Sequence, residues 1–276
     1  KFICIVMKKC IILLLAMMCA APVNFAANSN DDESKKEKSD STSTTKKTKD
    51  LYQKTFIKDK ECVTAKCDGG FMTLHKVNKK IYLEIPKNFL GREMLIASTI
   101  SQVSDPNLGS TGYKPQAPMH VKFSLGDSTT VYMEEVNIHP DFNNEDKHMA
   151  KAVELNGMSP IIGTYPVFCE TPDKSGVVFE MTKLFTGNDD RLAPVKSGTS
   201  GGVNMTVNFN SGASTLGDIK AFKDNVSIKS TLSYTVSANL LGLVLLKDKD
   251  PFSVSVTRTI LLLPEKKMRP RIADSR

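Results

Sequence analysis

Residues 69–101 read GGFMTLHKVNKKIYLEIPKNFLGREMLIASTIS, and their pattern decides the fold class. Phe71, Leu74 and Val77 lead to a polar turn at Asn78-Lys79-Lys80. Ile81, Leu83 and Ile85 then alternate with Tyr82 and Glu84 until Pro86 stops the run. Period-2 alternation on both sides of a short polar turn predicts a β-hairpin with one buried face. After a break at 87–92, the apolar run from Met94 to Ile100 predicts a third strand that continues the meander.

The same grammar extends downstream. Residues 105–118 are rich in Gly and Pro and read as a long loop. His120–Leu125 and Thr130–Ile138 flank Gly126-Asp127 and predict a second hairpin. Residues 147–155 are the best helix, with Met149, Ala152 and Val153 at helical spacing and Gly157 placed to cap it. Ile161–Phe168 and Val177–Met181 predict strands around a turn cluster at 171–174, and 186–202 reads as loop. Residues 204–209 alternate, and 226–236 and 252–263 form the longest pair rich in Val, Ile, Thr and Tyr. Strands outnumber helices and no crossover helices separate them. The expectation is a mainly β chain (a β-rich α+β fold) of antiparallel meander or sandwich-like sheets with one or two short helices.

Upstream, Met7-Lys8-Lys9 and the apolar stretch 10–21 form an export signal, with residues 1–6 as extra sequence before it. The stretch is shorter than a membrane span requires. The expectation is a signal peptide over 1–26 and no transmembrane segment after cleavage, in an exported chain that is periplasmic, surface-located or secreted. Cys19 keeps a lipoprotein reading open, although Met18 stands where a small residue is wanted. Residues 27–50 carry almost no apolar side chains and predict a disordered polar linker. A hairpin subdomain over 51–103 and a β-rich domain over 104–276 are expected to follow.

The formal net charge of +7 falls to +4 once the leader, with Lys1, Lys8 and Lys9 and no acid, is removed. So small an excess, spread along the chain, argues against a nucleic-acid partner. Beyond the leader remain Cys62, Cys67 and Cys169. In an oxidising compartment Cys62 and Cys67 are a candidate disulfide, with free thiols or half of a zinc site as the alternatives. Cys169, in an apolar context, reads as a small buried hydrophobe.

Chemical motifs are sparse. His75, His120, His139 and His148 are not followed by Glu, so the helical zinc signature of a peptidase has no counterpart. The cluster HPDFNNEDKH at 139–148 breaks the calcium-loop pattern at Asp146 and Ala152. Gly198-Thr199-Ser200-Gly201-Gly202 fits the spacing of a nucleophile elbow, but no histidine follows it in the chain. No residue is assigned a catalytic, cofactor or metal role.

The stretch GxF.xHK…KxYxEIPxxxLGRExLxxS over 69–101 resembles the amino-terminal region of large secreted bacterial zinc-dependent metallopeptidases. Residues 155–162 (LNGMSPII), 175–179 (SGVVF) with Thr182, Leu184, Phe185 and Gly187, and 230–234 (STLSY) are similar to further passages of that family. So is LLPE at 262–265, with MRPR at 268–271 and then Asp274 and Arg276. The resemblance implies an accessory β-region preceding a metzincin-like catalytic domain, with zinc held downstream and a protein or peptide as substrate. The chain's own downstream protease domain is the expected partner, and the polypeptide is expected to continue past Arg276. The alternative is a free-standing exported binding or scaffold domain without catalytic activity.

Overall fold

The computed structural model describes residues 50–127, 129–137, 146–240 and 243–266. The signal peptide, nearly all of the linker, His139 and the MRPR passage lie outside them. The described residues belong to one compact unit.

Among the described residues, the chain forms twelve strands and two α-helices. They are β1 (Cys62–Ala65), β2 (Thr73–Val77), β3 (Lys80–Pro86), β4 (Glu93–Val103), β5 (Met119–Asp127) and β6 (Thr130–Glu135). Helix α1 (Lys147–Asn156), β7 (Ile161–Glu170), β8 (Gly176–Glu180) and α2 (Thr182–Thr186) follow. The chain then forms β9 (Gly198–Ser200), β10 (Val203–Ala221), β11 (Asn225–Leu240) and β12 (Leu243–Leu262). The fold is mainly β, as its sequence predicts. The strands join one antiparallel sheet in the order β1-β2-β3-β8-β7-β6-β5-β4-β12-β11-β10-β9.

The sheet rolls on itself. Lys76 Nζ on β2 donates to the carbonyls of Leu216 and Gly217 on β10 at 3.2 and 2.8 Å, and Phe71 N–H donates to Lys223 O. Inside the roll lies the main core, with Leu74, Leu83, Ile96, Phe123, Phe179 and Ile260 among its buried side chains. A second cluster, including Ile100, Leu232, Tyr234, Phe252 and Val256, fills the far half of the long β10–β12 strands.

Two expectations need correction. The opening hairpin forms as β2 and β3, with Asn78 in the left-handed conformation (φ 54°) that its side chain tolerates. But β4 does not continue that meander. β3 pairs with β8, while β4 lies between β5 and β12. A 3₁₀ turn at Lys87–Phe89 and Gly91 (φ 79°) redirect the chain between them. Segment 51–103 contributes β1, β2, β3 and β4 to the same sheet as the strands of 104–276. The hairpin is also covered on both faces, because Tyr82 and Val178 pack under Phe56 of a π-helical turn (Gln53–Ile57).

Helix α2 packs inside the roll, with Leu184 and Phe185 buried. Gly187 follows it so closely that a Cβ would stand 2.3 Å from Lys183 O, which excludes a side chain there. Arg258 of β12, fully buried, fastens this turn by donating from Nη1 to Leu184 O and from Nη2 to Gly187 O (3.5 Å). Burial pushes its guanidinium down to about 10, so it is still charged at neutral pH. By contrast α1, capped by the Asp146 side chain, buries none of its residues.

Candidate functional site: the cleft where the chain leaves the sheet

The site is assembled from the start of β4 and the end of β12. Their pairing runs to Leu262↔Met94, and Leu263 N–H extends it by donating to Glu93 O at 3.0 Å. Gly91 N–H donates to Phe123 O at 2.7 Å, which holds the entry to β4 against β5. This fixes the backbone from which Arg92 projects. The Arg92 guanidinium donates through Nη2 to Leu263 O at 2.9 Å and pairs through Nη1 with Glu265 Oε1 at 2.7 Å. It also lies 5.9 Å from the Phe89 ring centroid, a cation–π distance. Glu93 turns to His120 of β5, with Oε2 and Nε2 2.9 Å apart.

Gly91, Arg92, Glu93, Leu263, Pro264, Glu265 and Lys266 line a cleft of about 470 Å³. Its chemistry is that of a clasp. A planar guanidinium grips one backbone carbonyl and one carboxylate of the departing chain, a task to which the fork of Arg suits it better than the point charge of Lys. No group of three or more His, Cys, Asp or Glu side chains suited to a metal occurs among the described residues.

A second cluster lies on the outer face of β2 and β3. His75, buried, meets Glu84 Oε2 through Nε2 at 3.0 Å and Thr64 Oγ1 through Nδ1 at 2.9 Å. Tyr52 O–H donates to the same Glu84 oxygen at 2.7 Å, and Phe56 stacks on the imidazole at 4.5 Å. Burial raises the Glu84 pKa, but the hydrogen bonds from His75 and Tyr52 outweigh it and leave the carboxyl below its ordinary value. Burial and the bond to Glu84 push Tyr52 up. The acid–imidazole–hydroxyl line is closed over by aromatic rings. It fastens the segment before β1 to the sheet.

The candidate disulfide residues stand apart in role. Cys62 and Cys67 are separate, half-buried thiols, with Cys62 Sγ 3.7 Å from Thr64 Oγ1 and Cys67 Sγ 3.7 Å from Asp68 O. Cys169 is buried, and burial, helped by the Glu84 charge, pushes its thiol up to about 12. Gly201 and Gly202 of the elbow-like motif are the two-residue turn between β9 and β10, with φ of 57° and 83°. Of HPDFNNEDKH, the described residues place Asp146 as the cap of α1 and His148 in its first turn.

Residues 113–276 match the family described as Domain of unknown function (DUF5117), and 52–103 match Domain of unknown function (DUF5118). The chain belongs to the DUF5117 family. No curated protein and no solved structure matches it. Arg92 lies in the DUF5118 segment, whereas Leu263 and Glu265 lie in the DUF5117 segment. The clasp therefore joins the two family segments. In the sequence, nothing links Arg92 and Glu93 of LGRE to Leu263 and Glu265 of LLPE. No local periodicity signals a contact across 171 residues.

Proposed function

We propose that this DUF5117 chain is the accessory β-region of an exported zinc-dependent metalloendopeptidase, whose proteolysis is carried out by a catalytic domain downstream. The observation that carries this reading is the meeting of LGRE and LLPE in one cleft. Both passages resemble that peptidase family, and in it the LLPE passage leads towards the protease half. Arg92 grips Leu263 and Glu265 just where the chain leaves β12, so the clasp sets the direction in which the polypeptide runs on. Zinc and the cleavage of a protein or peptide substrate belong to the downstream domain. Export also places Cys62 and Cys67 where a disulfide between them can form.

The test compares residues 27–276 with the longer polypeptide read from the gene. The longer form binds zinc stoichiometrically and digests casein in a chelator-sensitive way, and 27–276 does neither. Arg92→Ala in the longer form lowers casein digestion without lowering zinc content. Tight stoichiometric zinc or chelator-sensitive proteolysis in 27–276 alone overturns the proposal.

One observation favours the alternative of a free-standing exported binding or scaffold domain. Helix α1 and its surroundings leave Met149, Leu155, Met158 and Ile161 between 48% and 83% exposed. Exposed apolar side chains gathered in one stretch mark a surface for a partner. A stop codon directly after Arg276 in the gene favours this second reading.

A further inference from the structure

One end of the sheet is free of charge over long stretches. No Asp, Glu, Lys or Arg occurs in 197–217 or in 230–246, which supply β9, most of β10, the outer part of β11 and the start of β12. These strands outrun the core. β4 accompanies β12 only to Val103↔Val254, and among the described residues burial ends at Ala238 on β11 and Phe252 on β12. β11 continues through Asn239 to Leu240, which pairs with Leu243 of β12. At about 3.3 Å per residue, the pair projects about 7 Å past Ala238.

Residues 240–246 at this tip read LLGLVLL. Successive residues of a strand fall on opposite faces, so a run with no polar member provides no polar face. Leu243 and Leu245 are 71% and 52% exposed. Charge returns at the base of the tip. There the register slips between Val236↔Asp250 and Ala238↔Leu246, and Lys249 adopts the left-handed conformation (φ 61°). Its N–H donates to Ser237 Oγ at 2.9 Å, and the residue is exposed.

We propose that the β11–β12 tip is a membrane-surface anchor, which sinks its leucines into the interfacial layer of a lipid bilayer and leaves Lys249 among the headgroups. A protein groove covers one face of a hairpin and leaves the other in water, whereas a bilayer surrounds both, as a tip without a polar face requires. The projection also matches the depth of about 5–10 Å to which interfacial elements are buried. No charged side chain has to enter the layer, so insertion carries no ionic desolvation penalty.

The chain contains no Trp, so Leu243→Trp in residues 27–276 supplies a unique reporter at the tip. With vesicles of phosphatidylcholine and phosphatidylglycerol in equal parts, its emission is expected to shift to the blue and to be quenched by lipids brominated on their acyl chains. The double variant Leu243→Ser/Leu245→Ser changes two exposed positions and should keep its melting temperature. Its co-sedimentation with the same vesicles should fall at least about ten-fold, since two leucines no longer leave water. An unshifted emission overturns the proposal, as does vesicle binding that survives the double variant. A concentration-dependent dimer that the double variant abolishes, without vesicle binding by the parent chain, assigns the tip to a second copy and overturns it too. Should the double variant fail to fold, quenching of the single Trp decides alone.

Discussion

His75–Glu84 and His120–Glu93 are the same chemical pair at nearly the same separation, 3.0 and 2.9 Å, in opposite settings. The side chains of the first are 3% and 15% exposed, and those of the second 20% and 45%. Around the first, Thr64 and Tyr52 complete the hydrogen bonding and Phe56 closes it from water. Around the second lies the open cleft, with Arg92 beside it gripping the departing chain. Distance alone does not assign a role. Enclosure makes one pair a fastener of the amino-terminal segment, and openness leaves the other at the rim of the cleft beside Arg92.

Opening the enclosed pair is the harshest way to break this comparison. Phe56→Ala removes the ring stacked on His75 and packed edge-on against Tyr82 and Phe168. It is expected to cost about 3–5 kcal/mol, the range for truncating a buried Phe. Urea unfolding measures the loss, and limited proteolysis at Lys58 or Lys60 should become fast. Next comes Glu84→Ala, which strands the Tyr52 hydroxyl and one His75 nitrogen. It is expected to cost about 2–4 kcal/mol, as two polar groups lose their partner in an enclosed site. A cost as small as that of a surface pair would mean that enclosure does not distinguish the two.

The pH dependence sharpens the contrast. The folded Glu84 carboxyl lies below its ordinary value, so in the window between the two the unfolded chain binds the proton more readily. Stability from this group is present in full above the ordinary Glu range, and it is lost as pH falls through the depressed value. Glu84→Gln should therefore flatten the acid limb of a urea-midpoint profile taken from about pH 6 to about pH 3, around the reference carboxylate values. An unchanged limb would show that Glu84 is not held ionised by its neighbours.

Arg92→Ala acts on the open side and has a smaller global effect. The lost pair is with Glu265, which is 77% exposed, and the lost hydrogen bond is to Leu263 O. A cost of about 1 kcal/mol is expected for one charge-assisted bond near solvent. The local effect is larger. The Leu263 amide should exchange hydrogen faster and trypsin should cut sooner at Lys266, with no change at Lys58. Equal loosening at both ends would make Arg92 a general stabiliser rather than a local clasp.

How much of this was legible in the sequence follows from the range of each signal. Strand identity is local, and the alternation of Ile81, Leu83 and Ile85 or of Val254, Val256 and Ile260 announces it. Strand order is not, since nothing within 87–92 says that β4 crosses to pair with β5 and β12 rather than with β3. Tyr82 and Glu84 read as a solvent face because alternation reports one buried side. Their burial depends on Phe56, more than twenty residues earlier in the chain. Arg258 is the instructive case. Its position is in phase with Val254, Val256 and Ile260, so alternation places it inside and only its charge argues against that, and its register with Ser98 and Ile228 agrees with the alternation. Only the route of α2, whose carbonyls it grips, accounts for that burial.

The mildest test is the mirror image of the Glu84 substitution. Glu93→Gln keeps an oxygen that can accept from His120 Nε2 and removes only the charge. At an exposed pair the cost should be no more than about 0.5 kcal/mol. It should shrink further when salt is raised from about 0.05 to about 0.5 M, because the Debye length falls below the spacing of neighbouring surface charges. Glu84→Gln, made in parallel, should lose more and respond less to salt, because enclosed groups are screened poorly. Urea midpoints at the two salt concentrations supply all four numbers. If both variants lose the same stability and respond alike to salt, then the aromatic cover over His75 contributes packing alone. The difference assigned here to enclosure would then vanish.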